Sequence, residues 1–434
     1  MPDLFEAVVV GAGPAGSLAA LVLARNGRSV CLLERGPFPG SKNLYGGVVY
    51  PRVLDAILPN WWEEAPLERF VTRRATMMLT ETQSLSVDFR STAWGESPYN
   101  GATALRPDFD SFLAGKAEDA GATLVCATTA TGLLRSETGA VRGVTTDRPG
   151  GDVEARVVIA CDGVNAFLAR EAGLAKPVKS SHYTLGVKEV LALDGREIER
   201  RFSLPPGEGA DFEILGGTGA IAGGGFLYTN KDTISVGLVL ALDDLATSGE
   251  RPEDVLAALK EHPAIAPLVE GAELVEYGAH LIPEAGLEMM PDLSGEGILV
   301  AGDAAGMCLA AGIWLEGVNY AMASGAAAGE SASEALERGD TSRAGLSGYR
   351  RRLEESFVLA DHKRLRRAPH LVLSERMQHR YPGLVCNLVE EMFTIRNPSP
   401  KSGAFKLARR EAKRAGVTAR DLAKDAWTAW RTFG

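Results

Sequence analysis

Three glycines at a fixed spacing are the residues whose types and positions most clearly indicate chemistry. Gly11, Gly13 and Gly16 follow the apolar run Phe5–Val10. The first allows a tight turn, the second lets the backbone approach a pyrophosphate, and the third lets a following helix pack close to the strand. Glu34 is placed to accept hydrogen bonds from a ribose, and its carboxylate argues against a 2′-phosphate there. The spacing therefore predicts a dinucleotide site.

A strand–helix–strand unit must hold these glycines in place. Residues 17–26 are rich in Ala and Leu, Gly27 is typical of a helix end, and residues 29–34 form a second apolar run. The N-terminus of the helix would offer N–H donors and a positive dipole end to a phosphate. Further strands are predicted at 156–161 and 298–301. The glycine turn alone does not separate FAD from NAD.

Three later features favour FAD. One apolar strand ends in Gly302-Asp303, another is followed by Asp162-Gly163, and Arg106 opens a predicted helix. Their order and spacing resemble the p-hydroxybenzoate-hydroxylase-like flavoproteins. The resemblance implies that the aspartate of the later fingerprint holds the ribityl chain and that the next helix directs its N-terminus at the flavin. Taken singly, each feature also fits an Asp-Gly turn, a helix cap or a solvated arginine.

The resemblance narrows to the FixC family, whose motifs recur along nearly the whole chain. The matching segments are Glu34-Arg35-Gly36, 39–43, Gly46-Gly47 with Tyr50, 66–69, 223–230, 262–268, 275–277, 283–286 and 302–308. FixC proteins are similar to electron-transfer-flavoprotein:quinone oxidoreductases. The resemblance implies a flavoprotein that takes electrons from an electron-transfer flavoprotein of the FixA/FixB type and passes them to a quinone. It also implies a small ferredoxin-like partner, FixX.

The glycine turn and the resemblance together give a predicted set of FAD-binding residues. The set comprises Gly11, Gly13, Pro14, Ala15, Gly16, Glu34, Arg35, Lys42, Asn43, Gly46, Gly47, Arg106, Ala130, Asp162, Gly163, Gly302, Asp303, Gly312, Gly317 and Asn319. Flavin carries the redox chemistry, so no residue is assigned as a nucleophile, acid or base. His182 and His280 are interpreted as structural, and no metal ligands are assigned.

The cysteines argue against an iron–sulfur cluster in this chain. The five cysteines are widely separated and include no C-x-x-C pair, so neither a zinc site nor a four-cysteine cluster is expected. The fused quinone oxidoreductases carry such a cluster in a C-terminal domain, whereas residues 343–434 contain only Cys386. A FixC-type chain would show this departure if the cluster lies on a separate protein. Unpaired cysteines also favour a reducing cytoplasm.

Length and composition set the domain organisation. A chain of 434 residues predicts more than one lobe, since single cores seldom grow past about 250–300 residues. With 45% hydrophobic and 24% charged residues, the composition excludes disordered, collagen-like and coiled-coil chains. We expect an α/β protein whose Rossmann-like FAD-binding domain is discontinuous, over 1–75, 100–178 and 280–342. An inserted, mainly antiparallel β-sheet domain over 76–99 and 179–279 is expected to cover the flavin and form the acceptor pocket.

The predicted sheet domain contains several apolar runs and one short glycine run. Strands are expected at 183–193, 211–215 and 232–242, with an amphipathic helix over 252–262. Residues 223–225 are all glycine. These glycines would let substrate or flavin approach the backbone closely, and a glycine bulge is the alternative.

The charges are unevenly distributed. The net charge is −10, yet residues 343–434 hold 20 Lys and Arg against 9 Asp and Glu. This basic helical C-terminal segment favours contact with an anionic membrane surface or an acidic partner, and the alternative is packing against the acidic body. The acidic body argues against nucleic acid. Because no 18-residue window is apolar and charge-free, we expect a cytoplasmic protein, peripheral on the inner face of the cytoplasmic membrane.

A short amphipathic helix is predicted at the C-terminal end of the sequence. Thr418 and Asp421 form a plausible capping pair for this helix. Leu422, Trp427 and Trp430 fall on one face of it. An apolar face beside basic residues suggests docking onto anionic lipid or an acidic partner.

Three other functions fit the same residues. A geranylgeranyl-reductase-like enzyme would saturate prenyl lipids. An aromatic hydroxylase would use NADPH and oxygen, and the Asp162-Gly163 motif fits it. An electron-relay subunit would have no small-molecule substrate of its own and would act only in a complex. The electron donor that reduces the flavin separates these functions.

Overall fold

A computed structural model describes residues 5–43, 47–312 and 314–434. The strands are β1 (Phe5–Val10), β2 (Val30–Leu33), β3 (Gly47–Val49), β4 (Leu67–Leu79), β5 (Ser84–Arg90), β6 (Ala102–Ala104), β7 (Thr123–Val125), β8 (Ala130–Arg135), β9 (Val141–Thr146), β10 (Val153–Ala160), β11 (Tyr183–Ala192), β12 (Glu208–Leu215), β13 (Gly223–Thr229), β14 (Thr233–Ala241), β15 (Glu273–Pro283), β16 (Ser294–Gly295), β17 (Ile298–Val300), β18 (Leu309–Ala310) and β19 (Leu315–Glu316). The helices are α1 (Pro14–Arg25), α2 (Arg106–Asp119), α3 (Phe167–Glu171), α4 (Gly195–Arg201), α5 (Leu242–Ser248), α6 (Pro252–Glu261), α7 (Ala266–Val269), α8 (Val318–Arg338), α9 (Gly348–Glu355), α10 (Phe357–Arg364), α11 (Ala368–Val372), α12 (Tyr381–Phe393), α13 (Ala404–Arg414) and α14 (Ala419–Phe433).

The first sheet runs in the order β16-β17-β10-β1-β2-β7, with the hairpin of β8 and β9 attached to β10. The strands β17, β10, β1, β2 and β7 are parallel, and β16 is antiparallel to β17. Val10, the last residue of β1, is opposite Ala160 and Leu33, and Ala160 is opposite Val300. The carboxyl ends of these four strands therefore meet at one edge. In open α/β sheets, ligands bind outside such an edge.

The predicted strands and helix around the glycine turn are confirmed. β1, β2 and β17 lie within one residue of the apolar runs, whereas α1 begins three residues before the predicted helical segment and ends one residue before its end. β2 is buried along its whole length, which explains its uninterrupted apolar sequence. α1 begins at Pro14, where the fixed φ of proline suits the first helical position.

Helices α1 and α8 cross in direct backbone contact. A Cβ atom added to Gly325 of α8 would lie 1.9 Å from the carbonyl oxygen of Ala15, and one added to Gly329 would lie 2.6 Å from that of Ala19. Only glycine fits at either position. The two helices are therefore held at a fixed separation, and both begin at the edge where the parallel strands end.

The second sheet runs in the order β15-β11-β14-β13-β12-β4-β6-β3, with β5 paired to β4. Its pairs are antiparallel except for β12 with β4. One face is an apolar core that includes Phe212, Leu227 and Val236. The predicted amphipathic helix is confirmed as α6, whose Leu256 and Leu259 pack into this core. The opposite face carries polar side chains and faces the first sheet.

Strands from outside the predicted insertion also join the second sheet. β4 begins at Leu67 rather than near residue 76, and it pairs with β6, which in turn pairs with β3. The hydrogen-bonded sheet thus includes residues from the ranges assigned to the FAD-binding domain. The domain bounds remain a prediction.

The C-terminal segment is helical, from α9 to α14. Pro369 and Pro382 lie in the first turns of α11 and α12, where proline is tolerated. The predicted cap is confirmed: Thr418 and Asp421 form a reciprocal capping box at the start of α14. Some basic residues pack against the body, as when Arg352 pairs with Glu330 of α8 at 3.1 Å. Within the described ranges, none of the helices has the length and apolar character needed to cross a membrane.

Candidate cofactor site

An elongated cavity of about 480 Å³ lies between the two sheets. Its volume is within the range of about 300–1,000 Å³ typical of small-molecule and cofactor pockets. One wall is the edge where β1, β2, β10 and β17 end, and the other is the polar face of the second sheet. Both lobes therefore contribute to a single site.

Gly11 and Gly16 are required because the neighbouring backbone leaves no space for a side chain at either position. Gly11 has a φ of +99°, and an added Cβ would lie 2.3 Å from the carbonyl oxygen of Cys161. A Cβ added to Gly16 would lie 1.9 Å from the carbonyl oxygen of Gly11. These contacts make the tight turn and the close helix packing that the spacing predicts.

Gly13 is open towards the cavity instead. The nearest heavy atom to an added Cβ is Arg106 Nη2, at 4.0 Å. Among the residues that the structure describes, no side chain caps α1, so the N–H groups of its first turn are available to a ligand in the cavity. The structure thus leaves backbone donors, a helix dipole and empty space together, which are the features an anionic pyrophosphate requires.

Glu34 is held by backbone donors. Ala12 N–H donates to Oε2 at 3.1 Å, and Gly36 N–H donates to Oε1 at 2.6 Å. The carboxylate therefore braces the glycine turn, a role that the sequence did not indicate. A carboxylate has about four lone-pair positions, so two remain for ribose hydroxyls. Glu34 also lines the cavity.

Arg106 is oriented by a buried carboxylate. Its Nε and Nη2 donate to the two oxygens of Asp110, each at 2.8 Å, and Asn43 Nδ2 donates to Oδ2 at 3.2 Å. Asp110 is fully buried, and burial raises its pKa while the Arg106 charge opposes that shift. Asp110 was not predicted from the sequence, although its position one helical turn after Arg106 in α2 is a recognisable i, i+4 signal.

Asp162 and Asp303 follow adjacent parallel strands and both line the cavity. Asp162 accepts from the Leu168 N–H at 3.1 Å through Oδ2, whereas within the described residues its buried Oδ1 has no hydrogen-bond partner. Such an acceptor needs a ligand donor or water. Burial raises the pKa of Asp303, and Arg106 and His280 oppose this shift. The open Gly13 and the unpaired Asp162 oxygen fit a long ligand with a pyrophosphate and hydroxyl groups, as FAD has.

Most of the predicted FAD-binding residues are brought together by the structure. Those lining the cavity are Gly11, Gly13, Pro14, Ala15, Glu34, Arg35, Lys42, Asn43, Gly47, Arg106, Ala130, Asp162, Gly163, Asp303 and Gly317. Gly16, Gly302, Gly312 and Asn319 do not line it. Gly46 lies outside the described residues. The α8 helix begins beside Gly317 at the cavity, as the resemblance implied.

The polar face of the second sheet contributes side chains that the sequence analysis missed. These are Lys188, Phe226, Tyr228 and Glu284, while His280, interpreted from sequence as structural, also lines the cavity. Burial lowers the pKa of Lys188 to about 7 and raises that of Glu284 to about 7. Phe226, Tyr228 and Glu284 lie in the FixC-like segments 223–230 and 283–286, although their place at a cavity was not predicted. The period-2 alternation of β11, β13 and β15 was a further signal for Lys188, Tyr228 and His280.

Packing between neighbouring strands, rather than the expected approach of a substrate or flavin, explains glycines in the run 223–225. A Cβ added to Gly223 would lie 2.0 Å from the Val239 carbonyl oxygen, and one added to Gly224 would lie 2.6 Å from that of Ile214. Their neighbours in the sheet, rather than a ligand, occupy the space. Close packing between strands is therefore sufficient to require glycine here.

Comparison with known proteins finds three protein families that match segments of this chain. The FAD binding domain family matches residues 5–200, the ETF-QO, ubiquinone-binding family matches 183–282, and the ETF-QO/FixC family C-terminal domain matches 368–434. The probable electron transfer flavoprotein-quinone oxidoreductase YdiS of Escherichia coli (strain K12) is 42% identical, covering 98% of this chain and 97% of its own. Protein FixC of Azorhizobium caulinodans is 40% identical and covers 91% of each.

Solved structures share the fold at lower identity. A geranylgeranyl bacteriochlorophyll reductase-like protein from Thermoplasma acidophilum has a TM-score of 0.72 at 21% identity, over 98% of this chain and 99% of that one. The flavin-dependent brominase Bmp2 has a TM-score of 0.67 at 16% identity, over 99% of each. At these identities the likeness establishes the fold alone.

The fold and the cavity define an FAD-dependent oxidoreductase. Its FAD-binding lobe is of the hydroxylase and halogenase type, with a large β-sheet facing it and a helical C-terminal segment. The chain belongs to the FixC family of electron transfer flavoprotein-quinone oxidoreductase-type flavoproteins, since whole-length relatives at 40% and 42% identity share it.

Proposed function

We propose that this chain accepts electrons from an electron-transfer flavoprotein of the FixA/FixB type and passes them to a quinone. The observation that carries the proposal is the shared cavity. One wall has the features that fit FAD, and the other is the sheet that matches the ubiquinone-binding family over 183–282. Lys188, Phe226 and Tyr228 of that sheet line the same space. An acceptor placed there would lie against the flavin.

A separate FixX-type protein carrying an iron–sulfur cluster completes the proposal. A four-cysteine cluster needs clustered thiolates. Residues 343–434, where the fused oxidoreductases carry their cluster, contain a single cysteine, Cys386, which is buried. The cysteine distribution therefore supports electron entry or exit through a small ferredoxin-like partner.

Anaerobic stopped-flow spectroscopy tests the donor and the acceptor. The FAD-loaded chain is mixed with reduced FixA/FixB-type flavoprotein, then with decylubiquinone, while the flavin absorbance is followed with and without FixX. We expect reduction by the flavoprotein and reoxidation by the quinone, with NADPH alone reacting far more slowly. Rapid reduction by NADPH, with no reaction of the flavoprotein, would instead support the hydroxylase or prenyl-reductase alternatives.

We propose further that the C-terminal helices contact an anionic membrane peripherally. Exposed apolar side chains on α13 and α14 include Phe405 at 94% exposure, Trp430 at 63% and Trp427 at 58%. Basic residues such as Lys406 and Lys424 lie on the same two helices. Aromatic residues beside basic ones are typical of helices that bind at the membrane interface. A quinone acceptor is itself lipid-soluble, which agrees with this placement.

Deleting residues 416–434 would not test this contact cleanly. Asp425 of α14 accepts from Arg376 Nε at 2.6 Å and from the Tyr381 hydroxyl at 2.6 Å. The Phe433 ring packs on Trp314 with centroids 6.0 Å apart, beside the cavity-lining Leu315. Removing the helix would therefore disturb the site as well as the surface, so substitutions are needed.

Replacing Trp427 and Trp430 together with alanine should weaken binding to vesicles containing phosphatidylglycerol by roughly tenfold or more. Burying one large apolar side chain contributes about 1.5–3 kcal/mol, and about 1.4 kcal/mol is a factor of ten. Cosedimentation measures the effect, and binding should fall with added salt. The control replaces Leu274 and Val275, which are 59% and 64% exposed on β15. Equal losses in both variants, or binding that is independent of salt, would contradict the assignment.

A further inference from the structure

The face of the second sheet that lines the cavity carries a row of titratable side chains in register. Asp211 of β12 is directly opposite Arg74 of β4 on one side and Tyr228 of β13 on the other. Glu213, two residues along β12, is opposite Phe226. Directly paired residues project to the same face with Cβ atoms about 4.5–5.5 Å apart. Tyr228 is therefore the neighbour of Asp211 on this face, and it lines the cavity, whereas Asp211 and Glu213 do not.

One arginine forms ion pairs with two carboxyl groups in this row. Arg74 Nε lies 3.0 Å from Asp211 Oδ2, and the same guanidinium pairs with Glu213. The Asp211 side chain is only 2% exposed, and among the described residues its Oδ1 has no hydrogen-bond partner. Two buried carboxylates beside one cation leave an excess negative charge, which a shared proton would neutralise.

The groups facing the pair come from four elements. Arg74 on β4, Tyr228 on β13 and Tyr50 just after β3, whose ring lies 5.8 Å from the Arg74 guanidinium, act on the pair directly. Glu316 on β19 acts on Arg74 and Tyr50. Burial raises the pKa of both Asp211 and Glu213, repulsion from Asp211 raises that of Glu213 further, and Arg74 opposes these shifts. Burial and the two carboxyl groups also raise the pKa of Tyr228, so its hydroxyl keeps its proton.

We propose that the Asp211–Glu213 pair holds one proton and supplies it, through the Tyr228 hydroxyl, to the electron acceptor in the cavity. This inference rests on the proposed function, in which the acceptor is a quinone. Tyr228 is stacked on Phe226, with ring centroids 4.9 Å apart and planes at 13°, so its position is fixed. A fixed hydroxyl that neighbours a buried acid and lines the cavity can carry a proton to the acceptor without admitting bulk water.

The proton balance of quinone reduction requires one proton that the protein must supply. Reduction of a quinone to a quinol takes two electrons and two protons. Bound FAD in its reduced form would supply both electrons and one proton. The second proton leaves the Tyr228 oxygen as the quinol O–H bond forms, and the pair reprotonates that oxygen. The pair then regains its proton from solvent, which returns it to its starting state.

Lys188 is the rival proton source on the same face. It lies on β11 and lines the cavity. Burial and the charge of Arg106, in the FAD-binding lobe, lower the pKa of Lys188, and Glu276 opposes this shift. The Asp211–Glu213 pair is favoured because Tyr228, the neighbour of Asp211 across the sheet, lines the cavity and offers a hydroxyl that can relay a proton. Burial and the charge of Arg106 instead favour the neutral form of Lys188. A Lys188→Met variant therefore separates the two sources.

The test follows reoxidation of dithionite-reduced, FAD-loaded protein by decylubiquinone across a range of pH. Tyr228→Phe and Glu213→Gln are compared with Glu213→Asp, which keeps a carboxyl group. The control is Glu189→Gln, since Glu189 is a buried carboxylate on the opposite face, 2.5 Å from Lys260 Nζ. Infrared spectroscopy of the apo forms reports the protonated carboxyl group independently of turnover.

We expect wild-type reoxidation to slow as pH rises above neutrality, because the pair loses its proton. Tyr228→Phe and Glu213→Gln should each slow reoxidation by at least about tenfold near neutral pH, within the range of general acid catalysis. Glu213→Gln should also lose the alkaline decline and the infrared carbonyl band of a protonated carboxyl group. Glu213→Asp should retain the decline, and Glu189→Gln should match the wild type.

Two results would overturn the inference and leave the proposed function intact. One is an unchanged pH profile in Glu213→Gln and Tyr228→Phe, with normal wild-type quinone reduction. The other is a pH profile that disappears in Lys188→Met instead. If the reduced wild-type protein does not react with decylubiquinone at any pH, either with or without FixX, the proposed function itself fails, and the infrared band then reports only whether the pair is protonated.

Discussion

Replacing Gly13 with valine is expected to abolish tight FAD binding while leaving the fold intact. Gly13 has φ and ψ of −75° and −175°, an extended conformation that valine adopts readily. Within the described part of the chain, the nearest atom to an added Cβ is 4.0 Å away, so a Cβ at this position meets no close contact there. The valine methyl groups would instead occupy the space that a pyrophosphate enters. We expect the Kd for FAD to rise by roughly two orders of magnitude, or about 2.8 kcal/mol.

Calorimetric titration of the apo protein with FAD measures this effect, and circular dichroism checks the fold. The matched control is Gly115→Val, because a Cβ at Gly115 of α2 meets no atom within 4 Å and the residue does not line the cavity. Gly11 and Gly16 are unsuitable for this test, since a Cβ at either would strike the backbone. Full FAD occupancy in Gly13→Val would refute the placement of the pyrophosphate.

Replacing Arg69 with methionine is expected to destabilise the protein by about 3–5 kcal/mol, the usual cost of breaking a buried ion pair. Arg69 is 5% exposed and lies on β4. Its guanidinium donates to the carbonyl oxygens of Asn230 at 2.6 Å and Lys231 at 2.9 Å, and it pairs with Glu199 at 3.0 Å. Methionine fills a similar volume but leaves these buried acceptors without a donor.

Urea denaturation followed by tryptophan fluorescence gives the change in the free energy of unfolding. The control is Arg200→Met, because the Arg200 side chain is 69% exposed and pairs with Glu197 on the surface of α4. A surface pair contributes about 0–1 kcal/mol. If the two variants unfold at the same urea concentration, the Arg69 network is not a major source of stability.

The sequence predicted the first lobe well because its signals are local. β1, α1 and β2 are short apolar runs separated by glycine, so neighbouring residues alone determine them. β4 is different. Its first half contains Glu68, Arg69, Arg73 and Arg74, a charged pattern that does not indicate a buried strand. Partners distant in sequence, such as Asn230 and Asp211, neutralise these charges, and only the folded chain brings them together.

The candidate site was predictable in part for the same reason. The residues at the ends of the parallel strands, such as Gly13, Glu34 and Asp303, follow motifs with fixed spacing. Lys188 and Tyr228, on the facing sheet, line the cavity because of strand register and of how one lobe covers the other. Register depends on long-range pairing, which no local pattern in these strands specifies.

The backbone contact between α1 and α8 has a consequence for how the protein opens. At Gly325 and Gly329 the backbone of α8 lies directly against the backbone of α1, with no side chain between them. The two helices therefore cannot move apart by a rearrangement of side chains alone. Fluctuations that expose the amide hydrogens of one helix must therefore also expose those of the other, and both should exchange with deuterium as one cooperative unit. Since each helix begins at the cavity, we expect the two anchoring ends of the site to loosen together and cofactor release to be cooperative.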